Sequence, residues 1–307
     1  MSVERQQPRV AFQGERGAFG EEAAVALLGP GVRLVPRPTF EETFGAVGEG
    51  AADYALAPIE NSLVGTIERA CDLLLESTLV VAGEVVHPIT HNLVGCRGAS
   101  AETVRVVESH PVALAQCEKF FAEHPHVRRV VADDTAASVR RVVERGDPTR
   151  AAIAGRRAAR IYGGAILREH LEDHRENYTR FLLLAPHPEA TAERTDKFSA
   201  GRADKISLAL RLPHRPGALY RALGPFARRG LDLLKIESRP VRGEPWQYRF
   251  YVELQGSTED EEVARALEEL RGLTEEMRVL GCYPSARSLT NAREDRNAKE
   301  EIRSIER

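Results

Sequence analysis

No apolar run in this 307-residue sequence approaches the ~18 residues that a membrane-crossing helix requires. The opening residues, MSVERQQPRV, lack the apolar core of a secretory signal, so export is not expected. Cysteine is sparse and scattered. Cys71, Cys96, Cys117 and Cys282 form no C-x-x-C pair, which argues against a zinc ribbon or a disulfide framework and for reduced thiols in a cytoplasmic protein. No excess of positive charge exists either. Lys plus Arg number 43 against 46 Asp plus Glu, a net charge of −3, so a broadly basic nucleic-acid-binding face is not expected. Lysine is nearly absent, with five among those 43 cations, and arginine takes its place; we read this as compositional bias. Two histidine pairs, His87/His91 and His170/His174, lie four apart, but neither carries the glutamate of H-E-x-x-H. Metal ligation is therefore not expected, and the second pair reads as a solvated helix face. Gly14, Gly17 and Gly20 in GERGAFGEEA are spaced three apart, which is not G-x-G-x-x-G, so a dinucleotide site is not expected. The segment is either a carboxylate-holding helix start or a plain tight turn.

What is present describes a globular chain, 42% hydrophobic and 29% charged, with a length for about two domains. From Val10 to about Ala185 short apolar runs alternate with helical patterns, which predicts an α/β domain. Strands are expected at RVAF (9–12), YALAPI (54–59), TVRVVES (103–109), VRRVVA, RAAIAG and TRFLLLA (179–185). Helices are expected over 19–28, after Thr39, over 63–75, 111–121 and 135–144, and through Arg160. Thr39 and Glu42 form a capping box. Residues 78–95 are rich in β-branched side chains and read as an extended connection between two lobes, about 8–85 plus 165–186, and 86–164. A polar linker is placed at 187–204, a βαββαβ ferredoxin-like unit at 205–284, and a charged tail at 285–307.

Polar residues recur where strands end, and in open α/β sheets ligand clefts form at those ends. Glu60, Asn61 and Ser62 follow the first apolar strand and precede a helix. One capping residue would suffice there, so three polar residues after a proline favour a site. Ser109 ends another strand, with Gln116 two helical turns on. Ser109 and His110 are neighbours in extended chain and point oppositely, so they do not form a nucleophile–base pair; Ser109 reads as a hydrogen-bond donor to a ligand. Asp134 and Thr135 end a third strand. Asn177, Thr179 and Arg180 stand at the mouth of the apolar run from Phe181, where a hydroxyl and a guanidinium suggest a ligand.

Four segments, PIENS (58–62), SHPVALAQC (109–117), DTAAS (134–138) and NYTRF (177–181), together resemble the prephenate dehydratase family in order and spacing. RPGALYRAL (215–223) and ESRP (237–240) resemble an ACT regulatory domain. The resemblance implies a two-lobed, periplasmic-binding-protein-like catalytic domain over 8–186, an ACT domain over 205–284, and a homodimer or homotetramer. It implies decarboxylating dehydration of prephenate to phenylpyruvate without cofactor or metal. Thr179 would assist the leaving hydroxyl, and Glu60, Asn61, Ser62, Ser109, Gln116, Thr135, Asn177, Arg180 and Phe181 would bind substrate. For Arg180 a carboxylate partner and a structural role stay open. L-phenylalanine would bind between Pro216, Gly217, Ala218 and Leu219 of one subunit and Glu237, Ser238, Arg239 and Pro240 of another. Val112 stands where the family usually has Gln, and QGERGAFGEE resembles the plant arogenate dehydratase form as much as the prephenate form. With no chorismate mutase helices before Val10, a monofunctional enzyme is expected. Arogenate dehydratase and a non-catalytic amino-acid-binding sensor remain alternatives.

Overall fold

The computed structural model describes residues 7–186 and 203–286; most of the expected linker, and the expected tail from 287 onward, lie outside the described residues. The described chain divides into two compact units. The first takes the chain up to Ile67 together with Val86–Phe181; the second takes Glu68–Val85 and the chain from Leu182 onward.

The chain opens with β1 (Arg9–Gln13), α1 (Phe19–Leu28), β2 (Arg33–Arg37), α2 (Phe40–Gly48), β3 (Tyr54–Asn61), β4 (Gly65–Thr66), α3 (Glu68–Glu76) and β5 (Val80–Pro88). β1 pairs in parallel with both β2 and β3. Val10, Ala11 and Phe12 are all fully buried, as a strand covered on both faces requires. Thr39 caps α2, its Oγ1 accepting from the Glu42 amide at 3.1 Å as the box predicts. The helix expected over 63–75 starts only at Glu68. Gly65, at φ +85°, turns the chain back so that Gly65 and Thr66 pair with Asn61 and Glu60.

Next come β6 (Asn92–Gly95), β7 (Val106–Ser109), α4 (Pro111–Ala115), α5 (Glu118–Glu123), β8 (Arg128–Val131), α6 (Thr135–Arg145), β9 (Arg150–Ala154), α7 (Arg156–Tyr162), β10 (Ala165–Arg168) and β11 (Tyr178–Ala185). One sheet has the order β2-β1-β3-β11-β5, with β4 beside β3; a second has the order β10-β6-β9-β7-β8. The single helix expected over 111–121 is two short ones, broken at Gln116–Cys117. The return to the first sheet also comes later than expected. Residues 165–168 pair antiparallel with β6, and the chain leaves the second sheet only before β11. No helix holds the second histidine pair: His170 has φ 56° and lies between β10 and β11.

The two lobes of the first unit are tied by ion pairs from the loop before α1 and from the first turn of α1. Glu15 meets Arg140 at 2.8 Å, and fully buried Glu21 meets Arg157 at 2.6 Å. Gly17, at φ +90°, comes so close that a Cβ there would lie 2.7 Å from the Ala158 Cα, a position only glycine fills without strain.

The second unit contains β12 (Lys205–Arg211), α8 (Ala218–Arg228), β13 (Leu233–Pro240), β14 (Tyr248–Gln255), α9 (Glu261–Arg271) and β15 (Glu276–Tyr283). The sheet is antiparallel with order β13-β14-β12-β15, the expected βαββαβ arrangement. Its apolar residues pack with α8 and α9 through Ile206, Leu208, Val252, Phe226 and Leu267. Residues 68–85 are held to this sheet by polar contacts. Arg239 bonds Asp72 at 2.7 Å and Glu68 at 3.0 Å, and Lys205 bonds buried Glu84 at 2.7 Å. Arg278 donates to the Leu74 and Leu75 carbonyls at the end of α3, where the helix leaves acceptors unsatisfied.

Candidate active site

A cavity of about 360 Å³ opens in the first unit. Its walls are the ends of β3 and β11, the loops before β6 and α6, and the start of α4. Asn61, Gln116, Thr135, Thr179 and Phe181 line it, so five of the ten residues expected to contact substrate are gathered in one place. Phe19, Leu56 and Ile89 supply apolar wall, and among the described lining residues there is no Lys or Arg.

Asn61 organises the floor. Its Oδ1 accepts from the Leu63 and Val64 amides at 3.0 and 3.1 Å, which fixes the oxygen end of the carboxamide. Its Nδ2 therefore donates to Asn177 Oδ1 at 2.8 Å and to Thr179 Oγ1 at 3.0 Å. Thr179 is 8% exposed and lines the cavity. Because Oγ1 receives a hydrogen from Asn61, its own hydroxyl hydrogen is available to an oxygen in the cavity.

The other five expected residues sit around this floor. Asn177 is fully buried and acts behind the cavity wall, donating to Gln116 Oε1 at 2.9 Å. Ser62 exchanges hydrogen bonds with the Glu176 carbonyl and the Tyr178 amide, 3.0 Å each, tying β3 to β11. Glu60 and Arg180 pair at 3.1 Å and are not among the residues that line the cavity. Ser109 is fully buried, and its hydroxyl donates to the Ile153 carbonyl at 2.6 Å. That hydrogen is committed within the second sheet, so the expected donation from Ser109 to a ligand does not occur in this conformation.

Several further lining residues are not among those expected to contact substrate. His91 is 2% exposed, and its Nε2 lies 2.9 Å from Gln116 Oε1. His110 accepts the Val112 amide on Nδ1 at 3.3 Å, which leaves its Nε2 as the protonated nitrogen of the neutral ring. Burial pushes both imidazoles below their ordinary value. Asp133 and Asp134 line the same cavity, and burial raises the Asp134 carboxyl although it accepts the Ala137 amide as the α6 cap. The only signal for His91 was its position at the mouth of the buried strand NLVG. In the glycine-rich turn before α1 the Gly17 amide donates to the chain's own Glu21 carboxylate at 2.9 Å. Among the described residues no group of three or more His, Cys, Asp or Glu is arranged for a metal ion.

The family model described as Prephenate dehydratase matches residues 10–189, and that described as ACT domain matches residues 206–272. The chain belongs to the prephenate dehydratase family. A curated relative from Arabidopsis thaliana, "Arogenate dehydratase/prephenate dehydratase 2, chloroplastic", is 40% identical over 90% of this chain and 72% of its own length. A solved prephenate dehydratase from Arthrobacter aurescens, in complex with L-Phe, is 31% identical with a TM-score of 0.80, covering 91% of each chain. Another solved structure, described as a novel type of quorum quenching acylase, is 34% identical with a TM-score of 0.80, covering 90% of this chain and 98% of that one.

A second cavity, about 420 Å³, lies in the ACT domain of this prephenate dehydratase family member. Pro216, Gly217, Ala218 and Leu219 line it, together with Tyr248 and Phe250. Gly217 has φ +74° and begins α8 in the left-handed region. Glu237, Ser238, Arg239 and Pro240 lie on edge strand β13 and do not line this cavity within one chain. The Arg239 guanidinium is taken by Asp72 and Glu68, and the Asp72 hydrogen bond raises its pKa.

Proposed function

We propose that the protein is a prephenate dehydratase, releasing carbon dioxide and water from prephenate to give phenylpyruvate. The observation that carries this reading is the Asn61–Thr179 contact, which leaves a hydroxyl hydrogen facing a largely apolar cavity. The ring carboxylate leaves as carbon dioxide and its bonding electrons pass through the ring. Hydroxide departs from the opposite carbon and becomes water on gaining a proton. Aromatisation drives the step, so the protein need only position the substrate and stabilise the departing oxygen. Thr179 is the donor to that oxygen. Its hydroxyl is a weak acid, and its effect comes from fixed direction in a poorly hydrated site. Gln116, Thr135 and His110 offer neutral donors to the carboxylates. That no described lining residue is Lys or Arg suits the chemistry, since a cation tight on the ring carboxylate would stabilise the ground state and slow its loss.

The acylase description of one neighbour calls for an acyl-transfer nucleophile. Ser109 beside His110 is a poor candidate, because its hydroxyl is buried and bonded to Ile153. A second reading has more support. Asp133 and Asp134 with no lining Lys or Arg suit the ammonium group of arogenate, whose dehydration gives L-phenylalanine directly. Turnover of prephenate and of arogenate, measured side by side on the parental protein, decides between them. Absence of both products would leave the binding-sensor alternative.

L-phenylalanine is the effector in this reading. It would bind against Pro216–Leu219 of one subunit with Glu237–Pro240 of a second copy, in a homodimer or homotetramer. No described helix is long and apolar enough to cross a membrane. We place the enzyme in the cytoplasm, where scattered cysteines stay reduced.

A further inference from the structure

We propose that His91 is a positioning residue whose Nε2–H fixes the Gln116 carboxamide with its NH₂ group toward the substrate. The inference rests on the dehydratase reading of the same cavity, and it follows from a chain of hydrogen bonds with one consistent direction. Backbone amides of Leu63 and Val64 can only donate, so the Asn61 atom that they meet is oxygen. The Asn61 nitrogen then faces Asn177, whose near atom must be oxygen. The Asn177 nitrogen in turn faces Gln116, whose near atom must also be oxygen, at 2.9 Å. His91 Nε2 lies 2.9 Å from that same oxygen, so it carries the hydrogen. Two donors thus hold Gln116 Oε1, the Asn177 amide nitrogen and the His91 Nε2–H. The remaining end of Gln116 is the NH₂ group, which meets only a long 3.5 Å contact with Asn61 Oδ1 and otherwise belongs to the cavity.

The same chain accounts for an oddity of His91. Its Nδ1 is buried and has no hydrogen-bond partner among the described residues. With the hydrogen on Nε2, Nδ1 is an acceptor left unmet, a cost that the ring bears while supplying the Nε2–H to Gln116. The imidazole is held by its surroundings: the His91 amide donates to Glu172 at 2.7 Å, and Phe19 meets the ring edge-on with centroids 5.7 Å apart. Without His91, Gln116 would keep one oriented donor and could rotate its amide, presenting oxygen to a substrate carboxylate.

A double-mutant cycle tests this. We expect His91→Leu to lower kcat/KM by about 10–50-fold, the worth of one oriented hydrogen bond, and Gln116→Ala to lower it at least as far. The double variant should be no worse than Gln116→Ala, because His91 acts only through Gln116. His91→Gln, whose amide nitrogen reaches the ε position, should recover most of the loss. A structural effect of His91 would multiply with Gln116→Ala, and either that result or parental activity in His91→Leu overturns the proposal. One readout is independent of turnover. The ¹⁵N spectrum of the parental protein, with His91 assigned by its loss in His91→Gln, should show a protonated Nε2 and a bare Nδ1. The opposite tautomer overturns the inference, whereas a parent that turns over neither prephenate nor arogenate overturns only the dehydratase reading.

Discussion

Asn61 Nδ2 stands 3.0 Å from Thr179 Oγ1, joining the ends of two strands that are 118 positions apart in the chain. The contact sets the direction of the threonine hydroxyl as well as its place, since an oxygen that accepts from an amide must donate elsewhere.

Replacing Asn61 by Asp tests that direction. Asp keeps the oxygen that accepts from Leu63 and Val64, so the turn after β3 should survive. It puts a second oxygen against Asn177 Oδ1 and Thr179 Oγ1, where a donor is needed. We expect kcat to fall by about 100-fold, the scale of losing one preorganised donor, with a smaller effect on KM. A kcat within three-fold of the parent would show that Asn61 does not direct Thr179.

His91 also predicts a pH dependence of stability. Burial holds its folded pKa below the ordinary 6.5, with Gln116 and Glu172 acting in the opposite sense. As pH falls below 6.5, the unfolded chain takes up a proton that the folded protein resists. The stability from a neutral His91 is thus fully present above that pH and is lost as pH falls through the folded pKa. His91→Gln should flatten the acid side of the stability profile by up to ~1.4 kcal/mol per pH unit. Urea unfolding at several pH values between about 5 and 7.5 reads this, and an unchanged slope would contradict it.

The effector reading predicts a separate result for Gly217. A Cβ there would lie 3.1 Å from the Arg221 guanidinium beside the cavity that Gly217 lines, and φ +74° adds ~1–2 kcal/mol of strain. Gly217→Ala should therefore weaken phenylalanine inhibition by about ten-fold or more while basal turnover changes far less. Inhibition curves for the two proteins measure this, and an unaltered curve from a folded variant would contradict it.

The βαββαβ unit and most strands were legible because their apolar runs have clear periods and clear ends. Cavity-lining positions were legible where a polar residue interrupts an apolar strand, as Thr179 does before Phe181, or ends one, as Asn61 does. Ser109 looked the same in sequence, yet its hydroxyl turns inward to the Ile153 carbonyl. Strand-end position alone does not give the side a hydroxyl faces. Arg180 was ambiguous for a related reason, since its partner Glu60 lies 120 positions away. His91 was overlooked because spacing tied it to His87, whereas its partner Gln116 comes from the break between α4 and α5. The lobe boundary was misplaced at 165 because a four-residue strand carries no mark of which sheet it will join.

The most direct measurement is the steady-state turnover of prephenate and arogenate by the parental protein, Thr179→Ala and Thr179→Ser. Phenylpyruvate is followed by its absorbance in alkali, and phenylalanine by chromatographic separation from arogenate with detection of the newly formed aromatic ring. The account predicts turnover of at least one substrate by the parent, and a kcat about 100-fold lower or more in Thr179→Ala with little change in KM. Thr179→Ser should retain part of the activity through its hydroxyl. A Thr179→Ala enzyme whose kcat stays within a few-fold of the parent would contradict the assignment of the leaving-group donor.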